Sequence, residues 1–289
     1  MPQPVKVGIL KVGCLGTMIL LEYLLDERAE RTDLITRTIS TGSKMNPQES
    51  EDAAMQLIEY KPDLATVISP NAALPGPRIA RETLAKRGIP TIVISDSPAK
   101  RIAKDLEQQG IGYIINEADA MIGARREFLD PTEVAVYNAD VLKVLAVTGT
   151  LALIVKTLDR IIDELKNDER PNLPHLIITR EKALTEAAFT NPYAKAKAAA
   201  AFEIARAVSN INIEACFVLQ QWEQYTTLTA AAHEMMRRAA KLADEARELE
   251  KGGDTLARRP HAKDGTSMYK THLLEKPTPI HSVQKPQPD

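Results

Sequence analysis

Val5-Lys6-Val7-Gly8-Ile9-Leu10, then Lys11-Val12-Gly13-Cys14-Leu15-Gly16, then Thr17-Met18-Ile19-Leu20-Leu21-Glu22-Tyr23-Leu24-Leu25 is the stretch whose reading decides the fold. It begins with an apolar run of strand length and passes through a turn that carries two glycines. It ends in a helix-like apolar block closed by the charged Asp26-Glu27-Arg28. One strand-to-helix unit is expected here, and the pattern recurs. Leu34 to Ile39 reads as the next strand. Asn46-Pro47-Gln48-Glu49 then supplies a cap residue, a proline at the first helical position and a glutamate three after the cap, so a helix follows to Tyr60. Leu64 to Ser69 and Thr91 to Ser95 are two further β-branched runs, separated by a loop over Pro70 to Pro77 and a helix over Arg78 to Arg87. Ile111 to Ile115 gives a fifth strand. Strands alternating with helices of this length predict a parallel sheet with right-handed crossovers, and such sheets bind ligands at the carboxyl ends of their strands.

The character changes after Asp130. Asp130-Pro131-Thr132-Glu133 repeats the capping signature and opens a helical region to about Leu165, with a break expected at Gly149. Leu176 to Thr179 reads as a short strand, and Asn191-Pro192 caps an alanine-rich helix to Val208. Ile211 to Leu219 reads as a strand or hairpin arm. Thr227 to Lys251 reads as a long helix stopped by Gly252-Gly253. Lys263-Asp264-Gly265-Thr266 is a hairpin turn candidate, and the proline-studded end from Pro277 to Asp289 is expected to fray. The fold class expected is α/β: a parallel sheet flanked by helices in the N-terminal half, with a C-terminal helical bundle and a short hairpin-like segment. The corresponding divisions are an α/β domain over 1–130, a helical domain over 131–251 and a terminal segment over 252–289.

Composition excludes several classes. Among 289 residues, 44% are hydrophobic and 26% charged, as in an ordinary globular protein. Thirty-seven Lys and Arg against 39 Asp and Glu leave a net charge of −2, so no global basic field draws the chain to nucleic acid or anionic lipid. Aromatic residues make up only 4%, leaving few platforms for stacking bases. Apolar runs such as Leu151 to Val155 are far shorter than the ~18 residues of a membrane span, and the start of the sequence lacks a signal-like core. A cytoplasmic location is the default expectation. Two cysteines, Cys14 and Cys216, are too few for a disulfide framework or a cysteine zinc site.

Several chemical readings compete. Gly13-Cys14-Leu15-Gly16-Thr17 sits where backbone N–H groups at a strand-to-helix turn receive an anion or a flat ring; it lacks the dinucleotide G-x-G-x-x-G and P-loop spacings and also serves as a tight turn. Cys14 reads as a small buried residue rather than a nucleophile. Asn71-Ala72-Ala73-Leu74-Pro75-Gly76-Pro77 is a rigid strand-end loop suited to a binding wall or to punctuation. Asp96 either faces the same cleft or caps the Ser97-Pro98 helix start. Arg125 and Arg126 form a clamp for phosphate or carboxylate or pair on the surface. Asp130 caps a helix. His233-Glu234-Met235-Met236-Arg237 is a near miss for a zinc-protease helix, because the second histidine is absent; His233 reads as a core histidine or an anion contact. His261 reads as an isolated loop histidine.

Longer runs carry more. Asp119-Ala120-Met121-Ile122-Gly123-Ala124-Arg125-Arg126-Glu127-Phe128-Leu129-Asp130-Pro131, with Tyr137-Asn138-Ala139-Asp140 and Lys143-Val144-Leu145-Ala146, closely resembles archaeal coenzyme F420-dependent methylenetetrahydromethanopterin dehydrogenase. So do Lys11 to Thr17, the loop Asn71 to Pro77, Ala232 to Arg237 and Pro260-His261 with Asp264-Gly265. The resemblance implies a cytoplasmic α/β enzyme that moves a hydride reversibly between the methylene carbon of a tetrahydromethanopterin-type carrier and the deazaflavin F420. It implies no metal and a homo-oligomer, a hexamer described as a trimer of dimers. With those ligands, the strand-end cleft is expected to set Lys11, Gly13, Cys14, Leu15, Gly16, Thr17, Asn71, Ala72, Pro75 and Gly76 against the cofactor. Arg125, Arg126, Glu127 and Asp130 are expected on the pterin, with Asp96 or Glu127 as the acid that favours the methenyl cation. The alternatives are an NAD(P)-dependent oxidoreductase and a non-enzymatic ligand-binding or assembly protein. Apolar faces over Ala230 to Met236 are expected to meet another copy.

Overall fold

The computed structural model describes residues 3–122 and 128–280. Its elements follow the expected alternation: β1 (Val5–Lys11), α1 (Leu21–Leu25), β2 (Leu34–Ser40), α2 (Pro47–Glu59), β3 (Leu64–Ser69), α3 (Pro75–Lys86), β4 (Thr91–Asp96), α4 (Ala103–Gln108) and β5 (Gly112–Asn116). The second half contributes α5 (Pro131–Val147), α6 (Thr150–Lys166), β6 (His175–Ile178), α7 (Arg180–Ala187), α8 (Pro192–Ile213), α9 (Trp222–Gly252) and the two-residue strands β7 (Met268–Tyr269) and β8 (Thr278–Pro279). Six strands form one parallel sheet in the order β2-β1-β3-β4-β5-β6. Every residue of β3, β4 and β5 is buried, as expected of central parallel strands covered on both faces. The short strand read at 176–179 is β6, the far edge of that same sheet.

The caps act as their chemistry predicts. Asn46 Oδ1 accepts from Glu49 N at 2.9 Å and Asp130 Oδ1 from Glu133 N at 2.8 Å. Asn191 Oδ1 accepts from Tyr193 N at 2.9 Å and Ala194 N at 3.2 Å. Gly149, with φ +88°, separates α5 from α6, and the two helices meet at 67°. A Cβ at Gly149 would stand 2.2 Å from Ala183 O, so the position needs glycine for both conformation and space. No single helix among the described residues is long and apolar enough to cross a membrane.

Two expectations are corrected. Ile211 to Leu219 is helical: α8 runs to Ile213 and continues as a π-helical turn, Glu214–Val218. The β-branched residues there suggested a strand, but burying Asn212 and Ala215 against neighbouring helices overrides that propensity. The apolar side chains within Ala230 to Met236 divide, with Ala231 exposed, Ala230 and Met235 half-buried, and the other two inside the chain. Ala232 and Met236 are buried in the main core with Ala201, Phe202 and Ala205 of α8. Small residues on both helices let α8 and α9 pack closely.

His261 is no isolated loop residue. It is 5% exposed and lies at the amino-end side of the sheet, where the terminal segment folds back onto α1 and α6. Its Nδ1 is 2.8 Å from Glu27 Oε2 and its Nε2 2.9 Å from Asp159 Oδ2. Alongside, Arg31 Nε donates to Asp33 Oδ1 at 2.7 Å and Lys166 Nζ to Asp264 O at 3.3 Å. Burial opposes a charge on His261, but the hydrogen bonds to Asp159 and Glu27 outweigh it and raise its pKa from 6.5 to about 9. Burial likewise works against ionised Glu27 and Asp33, whose partners His261 and Arg31 nevertheless hold them below the usual carboxylate range.

The sign follows from linkage. The raised histidine contributes stability that is complete below pH 6.5 and is lost as pH rises through about 9. The depressed carboxylates contribute stability that is lost on acidification. Melting temperature is therefore expected to fall on the alkaline side, and His261→Ala to flatten that fall while costing about 3 kcal/mol at neutral pH. Thermal melts of both proteins across pH 5 to 10 check this, and an unchanged alkaline slope in the variant rejects it.

Candidate active site

Strand order reverses between β1 and β3, because β2 lies on one side of β1 and every later strand on the other. In sheets of this topology ligands bind at the carboxyl edge beside such a reversal; here the two loops stay close, since a Cβ on Gly13 would stand 3.3 Å from Pro70 Cδ. Four segments surround this edge: 12–16 after β1, 70–74 after β3, the start of the 3₁₀ turn after β4, and 117–122 after β5.

The β1 segment is fixed from inside. Gly13 has φ +84°, and a Cβ there would stand 2.7 Å from Met45 Sδ. A Cβ on Gly16 would meet Val141 Cγ1 at 2.4 Å and Asp119 Oδ1 at 2.6 Å. Both glycines are thus required by the protein's own packing. Leu15 is buried in the core, and the Thr17 hydroxyl and N–H both donate to Asp119 Oδ2, the N–H at 2.9 Å. Cys14 is exposed, contrary to the buried reading, because the turn that buries Leu15 directs its neighbour outward. Crowding by nearby atoms still raises the thiol's pKa, which disfavours a thiolate. Lys11 Nζ pairs with Glu22 Oε1 at 2.8 Å.

The β3 loop is also braced. Asn71 Oδ1 accepts from Ala73 N at 3.1 Å, and Ser95 Oγ accepts from Ala72 N at 3.1 Å while donating to Ser69 O at 2.7 Å. Ala72 is buried, and its carbonyl accepts from Arg81 Nη1 at 2.6 Å. Pro75, exposed, and Gly76, buried, begin α3. A Cβ on Gly76 would lie 2.1 Å from Met45 O, so this glycine too has a packing reason.

Beneath the ends of β4 and β5 lies a buried polar cluster tied to the C-terminal helices. Asp96 caps the following turn through Ser97 N at 2.5 Å and accepts from Ser209 Oγ of α8 at 2.6 Å. Burial pushes its pKa to about 7 against the pull of those hydrogen bonds, and Asp119 is pushed to about 6 for the same reason. Met121 O accepts from Asn212 Nδ2 at 2.5 Å and from Tyr137 OH at 3.2 Å. His233 stacks on Tyr137 at 4.1 Å between ring centroids, and Phe128 meets it edge-on at 4.8 Å. Burial lowers the pKa of His233 despite Glu133, which keeps the ring neutral.

The helix face read as His233 and Arg237 divides, since Arg237 points to Glu234 at the surface. Asp130 serves as a helix cap at the far end of the same connection. Arg125, Arg126 and Glu127 lie outside the described residues. Asp119, Ser209, Asn212 and Tyr137 were missed as site neighbours. Asp119 alone left a signal, as an acid just past a predicted strand end. Among the described residues, no group of three metal-ligating side chains is assembled.

These features define an α/β protein of the doubly wound kind, with a strand-order reversal in its sheet and C-terminal helices hydrogen-bonded to the sheet's carboxyl edge. The chain matches the family model of methylene-5,6,7,8-tetrahydromethanopterin dehydrogenase over residues 5–278 and belongs to that family. It is 55% identical over 273 residues to the F420-dependent methylenetetrahydromethanopterin dehydrogenase of Archaeoglobus fulgidus, covering 94% of this chain and 99% of that one. The protein of the same description from Methanocaldococcus jannaschii is 48% identical over 274 residues, with 94% and 99% covered. A solved structure of F420-dependent methylene-tetrahydromethanopterin dehydrogenase, in complex with methylene-tetrahydromethanopterin and coenzyme F420, aligns with a TM-score of 0.92 at 46% identity. It covers 95% of this chain and 100% of that chain.

Proposed function

We infer that this chain is an F420-dependent methylenetetrahydromethanopterin dehydrogenase, an oxidoreductase that moves a hydride reversibly between the pterin's methylene carbon and coenzyme F420. The observation that carries the inference is the full-length likeness, at TM-score 0.92, to an enzyme solved with both ligands. The residues fit such ligands. Buried polar atoms without partners among the described residues, Asn116 Nδ2, Asn212 Oδ1 and His233 Nε2, belong to the cluster at the strand ends, where hydrogen-bonding groups of a ligand or its water would satisfy them. When bound, F420 supplies a ring carbon that accepts the two electrons as hydride, as the pterin becomes a methenyl cation. The chain's task is then to align two flat rings, exclude water and tune charge.

In this reading, segment 11–17 and the loop 71–76 form the cofactor wall. Exposed Cys14 and half-buried Asn71 support it, since both sit in strand-end loops braced from within. Leu15, Thr17 and Ala72, whose side chains are buried, contribute through backbone position. Arg125, Arg126, Glu127 and Asp130 are assigned to the pterin. Asp96 is assigned an electrostatic role: it is too buried to touch a ligand, its pKa of about 7 divides it between neutral and ionised forms, and the ionised form favours a nearby cation in a low-dielectric setting. A homo-oligomer working in the cytoplasm completes the proposal. Phe217, Val218 and Trp222, exposed by 56%, 64% and 58% at the corner between α8 and α9, support an apolar contact there.

Purified protein is expected to bleach oxidised F420 when given methylenetetrahydromethanopterin, without added metal and with little response to NAD or NADP. Equal rates with NADP and F420 overturn the reading. Arg125→Ala is expected to raise the pterin KM about tenfold with little change in kcat, and Asp96→Asn to lower kcat about tenfold at similar KM. Melting curves on the same variants separate these effects from simple destabilisation, and unchanged kinetics in both remove the assignments. For assembly, sedimentation velocity is expected to show an oligomer, a hexamer by preference, which Trp222→Asp weakens; a monomeric wild type at micromolar concentration rejects this.

A further inference from the structure

Asp119 is costly to keep. Its carboxylate is fully buried, burial pushes its pKa up, and a Cβ at position 16 would meet its Oδ1 at 2.6 Å, just beyond Val141 Cγ1 at 2.4 Å. A hydrocarbon of similar size packs such a site at least as well, because a buried ionisable group seldom stabilises a fold relative to apolar packing. What Asp119 does that a hydrocarbon cannot is accept two hydrogen bonds at Oδ2, from the N–H and the hydroxyl of Thr17, 102 residues away in sequence. Those bonds join the segment after β5 to the turn after β1. The same β5 segment is bolted two residues later, where Tyr137 of α5 and Asn212 of α8 both donate to Met121 O. The β1 turn is therefore referenced through Asp119 to the helical layer.

We propose that Asp119 is a positioning residue for hydride transfer, stapling the turn Gly13–Thr17 at the height and angle at which it meets the cofactor. This rests on the assignment of that turn to F420. Asp119 does not touch the ring itself; it acts through Thr17, whose N–H and hydroxyl it holds. Thr17→Val removes the hydroxyl at constant shape while the backbone N–H bond remains, and Asp119→Leu removes both bonds.

The test is steady-state kinetics with F420 and methylenetetrahydromethanopterin varied in turn, together with thermal melts. Asp119→Leu and Thr17→Val are expected to raise the F420 KM about tenfold while the pterin KM stays within about twofold. Asp119→Asn and Thr17→Ser, which keep an acceptor and a donor, are expected to return most of the loss. An F420 KM unchanged in folded Thr17→Val overturns the proposal, as does an equal rise in both KM values accompanied by a lowered melting temperature. If Asp119→Leu does not fold, Thr17→Val carries the decision. Cys14→Trp, which adds bulk to the outer side of the same turn, separates the two levels. If it raises the F420 KM while the staple variants do not, the positioning role fails and the turn's assignment survives. If it shifts the pterin KM alone, the assignment fails and the proposal with it.

Discussion

The reversal of strand order between β1 and β3 is the constraint on which the rest depends. A parallel sheet needs a crossover for each added strand, and right-handed crossovers put successive helices on opposite faces only when the direction of growth reverses. At that point two neighbouring strands send their chains to opposite faces of the sheet, α1 against α6 and α3 against α2. The segments at the strand ends inherit their positions from hydrogen bonds inside the sheet, where β1 is paired on both sides.

The C-terminal helices do more than cover the sheet. Ser209, Asn212 and Tyr137 each send a polar group to the carboxyl edge, onto Asp96 or Met121. Buried hydrogen bonds of this kind resist lateral sliding in a way that Ala-to-Ala contacts between α8 and α9 do not, because a displaced donor leaves a desolvated acceptor behind. The apolar contacts hold the layers together, and the polar ones set their register. At the opposite edge, His261 and its carboxylates fasten the terminal segment, so the two ends of the sheet are secured by different chemistry.

Much of this architecture was legible because its signals are local. A cap residue, a proline and a glutamate in four consecutive positions, as in Asn46 to Glu49 or Asp130 to Glu133, specify a helix start without reference to anything distant. Gly149 announced a break for the same reason. The strand misread over Ile211 to Leu219 shows the limit, since its helical state depends on what Asn212 and Ala215 pack against. Site residues were harder still. Gly13 and Gly16 stood out as openings for a ligand, and the structure gives each a packing neighbour of its own, Met45 and Asp119. The sequence carried no sign that Met45 meets Gly13 or Asp119 meets Gly16.

By itself, then, the sequence determined the alternation of strands and helices, the parallel sheet and, through long runs of residues, the family. Hydrophobic period and capping chemistry act over a few residues, so one chain suffices to read them. Only the tertiary structure decided which side chains meet. Thr17 with Asp119, Ser209 with Asp96, Asn212 with Met121 and His261 with Glu27 lie 91 to 234 positions apart. Such pairs follow from the packing of whole elements, in which any of several buried acids or amides satisfies the same local rules until the fold brings one of them within 3 Å of its partner.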